Sequence, residues 1–409
     1  MEGKIAWMLT ASALVFFMTP GLAFFYGGLV RAKNLVNTIM YCFVSIAVVS
    51  IVWVLWGFSI AFDDGGSAND FIGGFSMVGL QNVPFDGSGD WTLLDVTFQM
   101  MFAIITPALI TGAFVERFKF STYLIFLVIW STVVYSPVTH WVWGGGWISQ
   151  LGDGRGALDF AGGTVIHINA GIAALAAAWL LGKRRNPGLQ SNNVPYVVLG
   201  AAILWFGWFG FNAGSAGTAD NSAVNAFLVT NVAAAAAALT WGLISMIRTG
   251  KMGAIGVATG AVAGLVAITP AAGAVGVMGS LAIGFGAGVL CFIAVELIHR
   301  TGLDDALDVF AVHGIGGIWG ALAAGIFTVS VIAGDDYRGL VEHGDLEQLG
   351  IQAVSVLGTL VYSAVATLII LYILDKIPGL GLRVSEAEED MGLDLASHGE
   401  QASVGDGAD

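Results

Sequence analysis

Two histidines sit in sequence that is otherwise almost bare of ionisable groups. His167 lies in DFAGGTVIHINAG (159–171), which also carries Asp159 and Asn169; His313 lies in DVFAVHGIGGIWG (308–320), which opens on Asp308. An ionisable side chain in lipid costs several kcal/mol, so such groups line a cavity or pair with something. Neutral imidazole offers one donor and one acceptor, so two adjacent rings can share a proton and line a narrow path. A lone buried histidine more often bonds a neighbouring backbone and staples helices; two at corresponding places read as a functional pair. Asp159 opens an apolar run, where a carboxylate caps free amides and complements the helix dipole, and the same charge attracts cations. Asp308 is expected to cap its own run, and Asn169 to tie helices together. Rings complete the set. FQMMF places Phe98 and Phe102 on one helical face with Gln99 beside them, WFGWFGFNAGS carries Phe211, Asn212 and Ser215, and VWGGG carries Trp143. A cation over such rings gains ~0.5–2 kcal/mol, and a serine oxygen adds an acceptor. Together they suit a small cation that also donates hydrogen bonds.

The elements that hold these residues follow from composition. The chain has 409 residues, 56% apolar and 11% charged, with mean hydropathy +0.82; an ordinary soluble domain carries about 25% charge. Its main solvent is therefore lipid. Its 58 glycines follow no G-X-Y period and suit close helix packing. A net charge of −14 disfavours nucleic acid, and two cysteines in apolar runs, Cys42 and Cys291, support neither a disulfide nor a metal site. No nucleotide-binding loop, HExxH or Cys/His cluster points to a membrane enzyme or a cofactor. A crossing helix needs about 20 apolar residues. Runs of that order fall at 5–30, 35–62, 92–115, 122–142, 161–182, 194–214, 222–247, 252–271, 275–298, 307–333 and 350–374, which predicts eleven spans. The start, MEGKIAW, lacks a basic region, so the first run reads as a retained span. Alternate connectors hold twelve of the 15 basic residues, while the others hold only Lys4, Arg155 and Arg338 among aspartates such as Asp63, Asp70, Asp86 and Asp335. The positive-inside rule then predicts an external N-terminus and a cytoplasmic C-terminus.

The pattern Asp, then His, then small residues recurs five spans apart, and PGLAFFYGG loosely matches WFGWFGFNAGS. An odd offset predicts an inverted 5+5 repeat plus an eleventh helix, with the path at the interface between halves. Residues 1–375 form the membrane domain. Residues 376–409 form an acidic tail, either a disordered solubilising segment or a regulatory one lying on the cytoplasmic loops.

DFAGGTVIHINAG, GWFGFNAGSAGTA, GAFVERFKFS, HWVWGGGW, GLVAITPAAG, DVFAVHGIGGIWG and GLDLASHGE occur in order, and this set resembles the ammonium transporter (Amt/Mep/Rh) family, Amt-type. The resemblance implies a homotrimer of eleven-helix protomers, each with its own pore. It implies an external ammonium site of Trp143, Phe102 and Ser215 supported by Asp159, a gate of Phe102 and Phe211, and a twin-histidine pore of His167 and His313. Phe98, Gln99 and Asn212 are secondary candidates. It also implies a P-II-type regulatory protein at the cytoplasmic face. The segment ISQLGDGRGALDF is a few residues longer than that pattern leads one to expect, which bears on the shape of the outer vestibule. The function expected is selective ammonium uptake, with no enzyme activity, cofactor or metal. An ammonium sensor signalling through the tail is the alternative.

Overall fold

Lipid leaves no water for backbone groups, so each apolar run must satisfy its own N–H and C=O, and a helix is the local solution. A computed structural model describes residues 2–85, 88–188 and 191–402. Eleven helices follow the eleven runs: α1 (Glu2–Leu29), α2 (Ala32–Phe62), α3 (Leu93–Ala113), α4 (Phe120–Trp143), α5 (Gly163–Leu181), α6 (Val194–Gly214), α7 (Asn221–Thr249), α8 (Ala254–Ile268), α9 (Val277–Thr301), α10 (Phe310–Phe327) and α11 (Glu347–Lys376). Ten are long and apolar enough to cross a membrane; α8, at 15 residues, is shorter than its run 252–271 suggested. There the chain leaves the helix at Thr269-Pro270, a residue pair that disfavours further helix. Helix starts are capped by Thr92, Asn193 and Asp220, whose side chains accept from Asp95, Tyr196 and Ala223 amides.

Small residues set how closely the helices cross. A Cβ on Gly171 of α5 would lie 2.3 Å from the Gly314 nitrogen of α10, and one on Gly317 would lie 3.1 Å from the Ile168 nitrogen. The contacts are reciprocal: Gly317 stands 146 residues after Gly171, and Gly314 146 after Ile168, the same offset that separates His167 from His313. Both helices open with wide π-type turns, Gly163–Ile168 and Phe310–Gly314, and each turn carries its histidine. Such turns are rare and concentrate where side chains do chemistry. α1 and α6 approach as tightly, a Cβ on Gly200 falling 2.2 Å from the Phe25 nitrogen.

The tail is ordered as far as it is described. Residues 382–384 pair with 117–119, through Lys119 N–H to Leu382 O at 2.8 Å and Val384 N–H to Arg117 O at 3.0 Å. A capping box of Ser385 and Glu388 then starts α12 (Glu386–Met391). Asp394 accepts from the Asn37 amide at 2.8 Å, Leu393 N–H donates to Asn34 Oδ1 at 2.8 Å, and His398 meets Asn37 Oδ1 at 3.0 Å. The described part of this segment thus lies against the loops that carry Arg117, Lys119 and Arg185.

Candidate functional site

The rim is built where α4 ends. Gly144–Gly146 stop that helix, with Gly145 at φ 91°, and leave Trp143 half-buried with its indole N–H donating 2.9 Å to the Asp159 carbonyl. The Asp159 carboxylate is consumed by backbone. Oδ1 accepts from Gly162 at 3.0 Å and Gly163 at 2.5 Å, and Oδ2 from Thr164 at 2.9 Å and Val165 at 3.1 Å. Gly162, at φ 108°, makes the left-handed turn that brings those four amides round one carboxylate. Asp159 is therefore a buried cap whose charge reaches the rim only through space. The preceding residue is clamped by Gln352 of α11, which accepts from Leu158 N–H at 2.6 Å and donates to the carbonyls of Leu158 and Ala321, both at 2.8 Å.

Beneath Trp143 the rings close in. The Phe102 centroid lies 6.3 Å from Trp143, 4.7 Å from Phe98 and 4.6 Å from Phe211, all edge-to-face. Ser215 Oγ donates to the Phe211 carbonyl at 2.8 Å, so its remaining capacity is as an acceptor. Two secondary candidates differ from the ring cluster. Asn212 binds Thr230 of α7 at 2.9 Å and ties α6 to α7, while Gln99 keeps a buried Oε1 without a hydrogen-bond partner among the described residues.

Below the phenylalanines His167 stacks on Trp208 and Phe211 at centroid distances of 5.3 and 5.9 Å. Its Nδ1 lies 3.2 Å from Nδ1 of His313. Two facing Nδ1 atoms bond only if one carries hydrogen and the other a lone pair, which forces opposite tautomers. One Nε2 is then a donor and the other an acceptor. The gap they line, with Leu22, Ile105, Leu109, Val262 and other apolar side chains, has a volume of about 10 Å³, at most what a single water needs.

Two expectations need correction. Asp308 does not cap α10: its backbone is left-handed, at φ 58°, and its carboxylate holds His299 at 2.8 Å. The cap is Asp305, whose Oδ2 accepts from Phe310 N–H at 2.7 Å. The sequence carried a signal for it, since Asp305 precedes His313 by the same eight residues that separate Asp159 from His167. Asn169 likewise does not tie helices through its side chain. Its Nδ2 donates within α5 to the Val165 carbonyl at 3.2 Å, and the tie comes from Ser363 Oγ of α11 to the Asn169 carbonyl at 2.9 Å.

On the tail side a polar cavity of about 420 Å³ opens among Lys183, Arg184, His299, Asp304, Asp305 and Asp308. A buried ion network walls it. Glu116, left-handed at φ 69°, accepts from the Arg31 amide at 2.9 Å and from the guanidinium groups of Arg31 and Arg184. Arg184 also grips Asp304 at 2.8 Å, and its hydrogen bonds to that carboxylate raise its pKa despite burial. Burial lowers that of Arg117, 3.8 Å from Asp304, to about 10. The next residue, Arg185, joins the tail through Glu386, Asp390 and Glu389.

Comparison with known proteins gives one family. The profile of the Ammonium Transporter Family matches residues 6–403. The chain is 48% identical over 407 residues to an ammonium transporter of Bacillus subtilis, covering 98% of both chains. It is 49% identical over 406 residues to one of Aquifex aeolicus, covering 98% of this chain and 93% of that one. The crystal structure of Candida albicans Mep2 superposes with a TM-score of 0.87 at 37% identity, covering 95% of this chain and 87% of that one. A sensor Amt protein superposes with a TM-score of 0.87 at 31% identity, covering 97% and 98%.

Proposed function

The chain belongs to the ammonium transporter family and is a multi-pass protein of the cell membrane that transports ammonium; from that premise we propose how its own residues pass the substrate. Ammonium settles at the outer mouth against Trp143 and Phe102 and donates to Ser215 Oγ, whose own hydrogen is spent on Phe211. Asp159 biases the mouth negative while holding the first turn of α5 and, through its carbonyl, the Trp143 ring. Phe102 and Phe211 gate the way down. The ion gives a proton to solvent water at the mouth, and ammonia enters the throat, where an Nε2 donor and an Nε2 acceptor match a molecule able to do both. Potassium has no proton to leave and would enter an apolar gap stripped of water, at a desolvation cost far above that of a neutral molecule.

The observation that carries this reading is the His167–His313 contact at 3.2 Å inside a throat of about 10 Å³, under the two rings. The reciprocal crossing of α5 and α10 supports an inverted repeat. The basic loops and the docked tail support a cytoplasmic tail side, with the N-terminus outside. Three protomers, and a P-II-type protein seated on that side, complete the proposal. Proteoliposomes with and without the protein test it by uptake of isotope-labelled ammonium in a large excess of potassium. Saturable uptake that potassium does not reduce supports it; competition by potassium sinks it. The sensor alternative draws on the likeness to a sensor Amt protein, and predicts an intact protein that moves no ammonium in liposomes.

A further inference from the structure

Two backbone carbonyls hold matching places, each one residue before the aspartate that caps a histidine helix. Leu158 precedes Asp159, and 146 residues on Asp304 precedes Asp305. Each carbonyl is taken by a donor from a distant element: Gln352 Nε2 of α11 at 2.8 Å for Leu158, and Arg117 Nη2 at 2.7 Å for Asp304. The two clamps differ in charge. On the tail side a guanidinium serves, whereas at the mouth the clamp is a neutral amide.

Gln352 is 1% exposed, and its amide spends its full hydrogen-bonding capacity. Oε1 accepts from Leu158 N–H at 2.6 Å and from Gln348 Nε2 at 3.1 Å, while Nε2 donates to the Leu158 and Ala321 carbonyls, both at 2.8 Å. A side-chain amide presents donor and acceptor side by side, so it takes both backbone groups of Leu158, as a paired strand would. That leaves Leu158 little freedom to turn. The next carbonyl along, that of Asp159, is the one that pins the Trp143 indole at 2.9 Å. Through Ala321 the same amide ties the lead-in of α5 to α10. The outer turn of α11 extends the support, with Gln348 Nε2 donating to the Gly156 carbonyl at 3.2 Å and Glu347 pairing with Arg155 at 3.1 Å.

We propose that Gln352 is a positioning residue of the outer ammonium site. Through the Leu158–Asp159 backbone it holds the Trp143 ring in the orientation that meets the cation, and it adds no positive charge to a mouth that must attract one. It touches no substrate and acts through Leu158, Asp159 and Trp143 in turn. This rests on the reading that Trp143 belongs to the outer site. A ring free to turn must be ordered by each arriving ion, which weakens binding and leaves the later steps alone.

The test is uptake of isotope-labelled ammonium by the full-length protein in proteoliposomes, for wild type, Gln352→Met, Trp143→Phe and the double variant. Methionine keeps the volume and loses all four hydrogen bonds; phenylalanine keeps a ring and loses the indole N–H. Freeing one side chain should raise the half-saturating concentration roughly 2- to 10-fold, with the maximal rate per folded protein near that of wild type. Both changes cut one chain of contacts, so the double variant should rise little beyond either single one. Thr367→Val is the structural control. It removes the acceptor of the Trp130 indole, 3.0 Å away on the same helix, and should lower the unfolding midpoint without moving the half-saturating concentration. If Gln352→Met does not fold, Gln352→Glu decides, since it keeps an acceptor for Leu158 N–H and loses the amide that donates to both carbonyls. Three results overturn the assignment: an unchanged half-saturating concentration, full additivity with Trp143→Phe, or an equal shift in Thr367→Val. Failure of the outer-site reading would appear separately, as a wild-type half-saturating concentration in Trp143→Ala.

Discussion

Replacing Asp159 by Asn looks like a test of charge alone, yet the four amides around it make it a test of hydrogen bonding as well. Each carboxylate oxygen serves two N–H groups, at 3.0 and 2.5 Å for Oδ1 and 2.9 and 3.1 Å for Oδ2. An Asn carbonyl can keep one pair; its NH₂ then points two hydrogens at the other pair, donor against donor. Two buried donors lose their acceptor, at ~1–3 kcal/mol each, so the variant should lose about 2–6 kcal/mol. Asp159→Ala strands all four. Unfolding entropy grows with chain length, so at roughly 1 °C of unfolding midpoint per kcal/mol for a chain this long, Asp159→Asn should melt ~2–7 °C lower. The first turn of α5, and the Trp143 ring held on the Asp159 carbonyl, should loosen with it. Thermal unfolding in detergent, followed by tryptophan fluorescence, gives the stability; ammonium uptake into proteoliposomes gives the function. We expect the Asn variant to be folded, less stable and poorly active, and the Ala variant to be inactive. An Asn variant with wild-type midpoint and wild-type uptake would refute the capping argument. A wild-type midpoint with lost uptake would assign the effect to the charge and not to the cap.

Three further outcomes follow from the tail side. Truncation after Arg383 removes Glu389, Asp390 and Asp394 from Arg185, Lys33 and Asn37; uptake and binding of a P-II-type protein should both fall, whereas truncation after Gln401 should leave both intact. The final VGDGAD, held dispensable on that prediction, lies outside the described residues. Glu116→Gln leaves Arg31 and Arg184 without their shared buried carboxylate, which should cost ~3–5 kcal/mol and speed proteolysis at the loop carrying Arg184; an unchanged midpoint and cleavage rate would count against the network. Asp305 has its carboxyl raised from 3.8 to about 7, so its contribution to stability is complete below 3.8 and is lost as pH rises through about 7. Asp305→Asn should flatten the midpoint over that window, and a parallel fall in both proteins would contradict it.

How far the residues announced this structure depended on the kind of contact. The number of long apolar helices was largely legible because bilayer thickness sets the length of an apolar run, and α8, too short to count among the ten that could cross, still falls within its run. His167 and His313 stood out because lipid penalises ionisable groups, and the fold joins them at 3.2 Å. Asp305 was hidden because Asp308 opens the more obvious DVFAVH copy of the motif; only the left-handed turn at Asp308 turns the cap over to its neighbour. Asn169 misled because its side chain bonds within its own helix while its carbonyl makes the link. Charge complementarity between tail and loops was readable in Arg185 and its tail acids, but part of the clasp runs through the neutral side chains of Asn34 and Asn37, which composition cannot single out.

The central claim is that the paired imidazoles let ammonia through a throat closed to a bare cation. Proteoliposomes carrying wild type, His167→Ala, His313→Ala or both changes can be given a potassium gradient and then an ammonium gradient, with flux of each ion recorded beside an unfolding midpoint. The account predicts no potassium flux in wild type, and a measurable potassium flux or a collapse of ammonium flux in the variants at near wild-type stability. Variants that carry ammonium at the wild-type rate and still exclude potassium would contradict it.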